Sequence, residues 1–207
     1  MGQVVFGYAV GGSVTFWTEG QSQPATSNLI LHGRAIVAVH DNDQFTPGIR
    51  TLLQGVPDSP SEIARWLMQQ FQVLWPAGNA PGFGVIIGGA QGERGSIFGL
   101  HSERNFMGTP FPAGVVGGLP AVIFDYLRAH LAGVIVTPQD ALDFLTLCAE
   151  FYGTVYPQFP RAATVCIADG QSPAKYLAQT ELDESRSRVE GRLRRFQRII
   201  VDLLLKE

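Results

Sequence analysis

The chain has 207 residues, 45% of them apolar and 16% charged, with 15 Lys and Arg against 18 Asp and Glu for a formal charge of −3. A chain of this length hides roughly 70% of its unfolded surface and builds a core without disulfides or structural metals, and Leu, Ile, Val and Phe are too frequent for disorder. Evenly mixed charge and a pI of 5.8 leave no basic stripe for a nucleic-acid backbone, and no apolar run approaches the roughly 20 residues that span a bilayer.

The first forty residues read as four short strands. Val4 to Val10 is β-branched and aromatic, Gly11-Gly12-Ser13 is a tight turn, and Val14 to Thr18 alternates apolar and polar residues. After a polar loop from Gln21 to Ser27, Leu29 to Leu31 and Ala35 to Val39 flank His32-Gly33-Arg34 as a second hairpin. A short helix runs from Pro47 through Leu53. A longer one starts at Ser59-Pro60-Ser61-Glu62, where an N-cap, a first-turn proline and an acidic residue coincide. Ile63, Trp66, Leu67, Phe71 and Leu74 recur at helical spacing until Pro76.

Phe83 to Ala90 and Ser96 to His101 form a third hairpin, glycine-rich enough to imply close backbone approach. A short strand from Ala113 to Val116 leads through Gly117-Gly118 into a helix from Pro120 to Leu131. Thr137-Pro138-Gln139-Asp140 begins a further helix with Ala141, Leu142, Leu145, Cys148 and Ala149 as its apolar stripe, and Ala163 to Ala168 is a last strand. From Ser172 to Lys206 the spacing predicts one long helix. Leu182, Val189, Leu193, Phe196, Ile200 and Leu203 lie on one face, and six arginines between Arg186 and Arg198 lie mainly elsewhere. Runs of strands followed by pairs of helices favour two layers of sheet covered by helices over a parallel βαβ sheet. Cys148 and Cys166, with no second Cys or His at metal spacing, read as small core residues, and sparse cysteine suits a reducing, cytoplasmic setting.

The element order and three local sequences resemble the proteasome family, most closely the bacterial proteasome-like peptidase ring. These are VTFWTEGQ at Val14 to Gln21, the strand-turn-helix of Ala35 to Leu53, and VVGGLPAVIFDYL at Val115 to Leu127. The resemblance implies an α+β fold, a four-layer αββα sandwich of the N-terminal nucleophile hydrolases. It would occupy residues 1–170, with an added amphipathic C-terminal helix over 171–207. It also implies three catalytic groups: an N-terminal threonine whose own amine is the base, a lysine, and an acidic residue ending the second strand. Glu19 matches the acidic position, and counting back from it lands on Gln3, which is no nucleophile. The lysine position falls near Ser27 or Asn28, whereas the only lysines are Lys175 and Lys206. Gly117 and Gly118 match the glycine turn beside the family's active site.

The resulting expectation is a proteasome-fold protein without peptidase chemistry, working through assembly or binding. The alternative is an amide-bond hydrolase with an atypical nucleophile, and a third reading is a small-molecule binding module near Glu19 and Gly117. Cleavage before Ser13 would supply a new N-terminal serine but would delete a strand, so a plain hairpin turn is the better account of Gly11-Gly12-Ser13. His40-Asp41-Asn42-Asp43 reads as a polar strand-to-helix loop, with a cation or phosphate site as the rival. His101 with Glu103 and Arg104 reads as surface ion pairing, with a general base as the rival. No cofactor, metal, nucleic acid or membrane is expected. A homo-oligomer is, through Phe124, Leu127, Leu142 and Leu145 and through the C-terminal helix with Leu193, Phe196 and Ile200 as anchors; that helix is also a candidate for a protein partner.

Overall fold

The computed structural model describes residues 4–19, 27–76, 79–111, 113–118, 121–156 and 163–204, of which the side chains of 91, 192, 193 and 195–204 are not described. In chain order the elements are β1 (Val5–Val10), β2 (Ser13–Glu19), β3 (Leu29–His32), β4 (Ala35–His40), α1 (Thr46–Leu52), α2 (Pro60–Leu74), β5 (Gly84–Gln91) and β6 (Arg94–His101). There follow β7 (Thr109–Phe111), β8 (Gly114–Gly117), α3 (Val122–Leu131), α4 (Pro138–Val155), β9 (Ala163–Ala168), β10 (Lys175–Tyr176) and α5 (Gln179–Leu204). The strands make two five-stranded sheets, ordered β10-β9-β2-β1-β8 and β3-β4-β5-β6-β7. Every strand pair is antiparallel.

The period-two alternation of the strands decides how these sheets lie. Val5, Val14, Phe16, Val115 and Cys166 of the first sheet share one core with Leu29, Ile36, Ala38, Ile86 and Ile97 of the second. The residues between them in sequence point the other way. Phe6, Tyr8, Trp17 and Val165 meet Phe124 and Leu127 of α3 and Leu142, Leu145, Cys148 and Tyr152 of α4. On the far side, Val37, Val39, Val85 and Ile87 meet Ile49 of α1 and Ile63, Leu67 and Phe71 of α2. The two sheets therefore pack face to face and carry helices on their outer faces, the layering that the order of strands and helices favours.

Because both faces of each sheet are covered, large rings need gaps in the facing strand. Phe16 is fully buried. A Cβ on Gly7, its cross-strand partner, would lie 2.4 Å from its ring, and one on Gly88 of the opposite sheet 2.5 Å from it. The glycines of the third hairpin thus mark a close approach between the sheets, and the first hairpin turns at Gly11 with φ +53°. At the helix starts, Thr137 accepts from the Asp140 amide while Asp140 accepts from Thr137 N–H, a closed capping box. Ser59 sits at the N-cap of α2, but its hydroxyl meets the Ser61 hydroxyl at 3.1 Å instead of a first-turn amide.

Two expectations are corrected, and one strand has no counterpart in the sequence reading. The C-terminal helix does not start at Ser172. Asp169 accepts from the amides of Gln171 and Ser172, folding the chain back so that Lys175–Tyr176 adds an edge strand to β9, and the helix begins at Gln179. The short strand β7 breaks no hydrophobic pattern strongly enough to be seen in sequence. Phe124, Leu127, Leu142 and Leu145 are no open faces, being 1%, 1%, 4% and 0% exposed within the single chain. α4 is buried almost all round because α5 lies antiparallel on it: Arg186 reaches Glu150 at 3.4 Å, and Arg188 and Ser185 reach Asp143 at 3.0 and 2.8 Å. Leu182 and Val189 are buried in this seam, whereas the expected anchors Leu193, Phe196 and Ile200 have side chains outside the described residues.

Gly88→Ala tests the close approach of the sheets. The added methyl meets Phe16 and Val14 in a packed interior, so the variant is expected to lose stability in urea unfolding by about 1–3 kcal/mol, the usual range for overpacking. Phe16→Leu in the same background should recover part of that loss. A Gly88→Ala protein as stable as the parent would show that the sheets stand further apart.

Candidate functional site

The ends of β1, β2, β3, β4 and β8 converge at one edge of the two sheets, and the positions implied by the proteasome resemblance lie there. Val5 pairs with Thr18 on one side and with Gly117 on the other. Glu19 accepts the Val4 amide at 3.2 Å, and the Thr18 hydroxyl donates to the Val4 carbonyl at 2.8 Å. In the other sheet, Asn28 is buried, with its Nδ2 donating to the Val39 carbonyl at 2.8 Å while the Val39 amide donates to the Asn28 carbonyl at 3.0 Å. The Ser27 hydroxyl accepts the Leu29 amide at 3.0 Å. Burial holds the Glu19 carboxyl above its ordinary value, and the Val4 amide offsets this in part. Gln3 lies outside the described residues.

No lysine stands among these groups within the described residues. Lys175 sits opposite Ile167, which is opposite Thr15, which is opposite Tyr8. That row is three residues along β1 from Val5, about 10 Å at strand rise, and Lys175 lies three strands out from β1. Gly117 closes β8 beside Val5, and Gly118 follows with φ +83°.

A second constellation adjoins the first, and its members come from three strands. His40 pairs with Gly84, and Gly84 pairs with His101, so the register sets two imidazoles on either side of a glycine at the ends of β4, β5 and β6. Their rings lie 5.1 Å apart. His40 is 2% exposed and fills a slot between the sheets: a Cβ on Gly84 would stand 2.2 Å from its Nε2, and one on Gly117 2.7 Å from its Cδ2. His40 Nδ1 donates to the Asp41 carboxylate at 2.6 Å, and the buried Nε2 has no hydrogen-bond partner.

The His40 bond holds the Asp41 carboxyl below its ordinary value, against the opposing effect of burial. His101 is likewise lowered, by burial first and then by the charges of His40 and Arg104, with Asp41 and Glu103 acting in the other direction. A cavity of about 310 Å³ opens outward from His101, lined also by Asp41, Gly82, Phe83, Ser102 and Glu103. The backbone around it is strained: Asp41, Asn105 and Phe106 have φ of 66°, 50° and 55°. For Phe106, bulky and fully buried, such an angle persists only because Phe71, Trp75 and Phe83 pack around its ring.

Two sequence readings change accordingly. His101 is not part of a surface ion pair with Glu103 and Arg104, because the β6 register turns it toward His40. His40-Asp41 is more than a polar loop, since His40 ends β4 on its inner face. Residue types alone hide this pairing: the two histidines are 61 positions apart in sequence, and only the alignment of three strands joins them. The signal available in sequence was a histidine at the end of each of two strands and a glycine at the start of the one between. The Asp41–His40 pair has the orientation of a general base, with Nε2 turned into the glycine slot. Among the described residues no group of three His, Cys, Asp or Glu is placed to hold a metal ion. Cys148 and Cys166 are buried, with burial raising both thiols well above their ordinary range. No helix among the described residues is long and apolar enough to cross a membrane.

Compared with models of known protein families and with curated proteins, the chain finds no match.

Proposed function

We propose that the chain is a catalytically silent relative of the proteasome-like N-terminal nucleophile hydrolases, a four-layer αββα sandwich that works through assembly or binding. The observation that carries this reading is the use made of Glu19 and Asn28. At the positions where the family resemblance calls for an acid and a lysine, both side chains bond to backbone: Glu19 ties down the start of β1, and Asn28 ties β3 to β4. Groups that hold strand ends in place serve the fold, and fold alone does not supply chemistry. The two face-to-face sheets and the outer helices also fit the sandwich. The rival reading, an amide-bond hydrolase with an atypical nucleophile, draws on the Asp41–His40 pair, and it requires a hydroxyl or thiol brought to Nε2.

For assembly, α3 offers an exposed apolar surface. On α3, Val122 is 76% and Tyr126 53% exposed, one helical turn apart and on the side away from Phe124 and Leu127. Neighbouring copies that bury this pair would form the closed symmetric contacts usual for repeated subunits.

The protein is expected to release no product from short fluorogenic peptide amides. Turnover that is blocked by a covalent threonine-directed inhibitor would overturn the silent reading. Sedimentation at micromolar concentration should give a multiple of the 22.4 kDa chain mass, and Val122→Asp with Tyr126→Asp should reduce it; a monomer throughout would remove assembly from the proposal.

Glu19→Gln separates a structural from a catalytic role. The Gln carbonyl still accepts the Val4 amide and carries no charge. A carboxyl raised by folding contributes stability while protonated, and loses it as pH rises from its unfolded value through its folded one. The variant should therefore be at least as stable as the parent at neutral pH, with the advantage disappearing in acid below about pH 4. A variant clearly less stable than the parent at pH 7 would contradict this account of Glu19.

A further inference from the structure

We propose that His40 and His101 form a pH-sensitive latch that holds the ends of the two sheets together at neutral pH and releases them in mild acid. The geometry of the slot carries the proposal. His40 belongs to β4 of one sheet and touches Gly117 of β8 in the other, so its ring is a wedge shared by both. Its neighbour across Gly84 is His101, 5.1 Å away ring to ring.

The charges facing this pair come from a short list of elements. From the end of β4 there is Asp41, bonded to His40 Nδ1; from the 3-10 turn after β6 there are Glu103 and Arg104. At the slot β5 and β8 present the glycines Gly84 and Gly117, and β7 presents Phe111 near Gly99. Asp41 is already engaged by His40, and Arg104 offsets Glu103. A proton on His101 thus adds a positive charge with no free counter-charge, beside Gly84 and next to the buried His40 ring whose Nε2 lacks a partner.

Folding disfavours the proton on His101. Between the ordinary histidine value of about 6.5 and the lower value in the folded chain, the open or unfolded state binds more protons, so the closed state loses stability as pH falls through that window. Asp41, Asn105 and Phe106, at positive φ on both sides of the pair, supply backbone that relaxes once the wedge is released. The opening exposes the edge where Gly117, Val5 and Asn28 lie. This inference does not depend on whether the chain is an enzyme.

The test is hydrogen exchange read by mass spectrometry, corrected for intrinsic rate, on the full chain at about pH 7.5 and about pH 5.5. Peptides covering residues 82–101 and 113–118 should gain more opening in acid than peptides from α2, because the open state takes the His101 proton more readily. His101→Gln, which cannot take the charge, should remove that difference. In the unaltered protein, the His101 Cε1 proton followed by NMR should titrate below the ordinary histidine value, a reading that survives even if the variant folds poorly. Equal acid opening in parent and His101→Gln, or a His101 titration at or above the ordinary value, would overturn the latch.

Discussion

Two stacked sheets, each covered on both faces, leave no strand a free side. Each inner strand must offer side chains to both sides, so β4 is buried along its whole length, with Ile36 and Ala38 toward the other sheet and Val37 and Val39 toward α2. Interiors tolerate neither voids nor overlap, and a ring in one sheet therefore demands a missing side chain in the next. Phe16 lies against Gly7 and Gly88, and His40 lies against Gly84 and Gly117. The first solution is apolar and stabilises by packing; the second places a titratable ring in the same kind of gap, and that difference makes one end of the sheets chemically distinctive.

The helical layers answer the same demand. α4 would expose Asp143 and Thr146 beside a core of Leu142, Leu145 and Cys148 if α5 did not lie along it. Instead Ser185 bonds to both Asp143 and Thr146, at 2.8 and 3.0 Å, and the Arg188 guanidinium closes on the Asp143 carboxylate. A buried polar group is tolerated when its partners are supplied, and here α5 supplies them. Its first half thus joins the same core through Leu182.

At the edge where the strand ends meet, stability and chemistry draw on the same residues. Glu19, Thr18 and Asn28 fasten strand ends through backbone bonds, while Asp41 orients His40 and His101 opens onto the adjoining cavity. Strained backbone at Asp41 and Phe106 borders the same place, held at Phe106 by the rings packed around it. The proposed silence of the hydrolase positions and the proposed latch therefore concern two neighbouring sets of groups that share Gly117.

Local elements were legible along the chain: alternation marked the hairpins, the Thr137-Pro138-Gln139-Asp140 start marked α4, and three- and four-residue spacing marked α2, because these signals depend on neighbours within a few positions. The sequence also limited lysine to two positions, Lys175 and Lys206. Only the tertiary structure decided what those elements face. The two-residue strand β10 exists because Asp169 turns the chain back onto β9, and Phe124 and Leu145 are interior because α3 and α4 lie on the first sheet. His40 meets His101 because two strand registers happen to share Gly84. The physical reason is range: hydrogen-bond register and sheet stacking join residues far apart in sequence, and no local pattern carries that information.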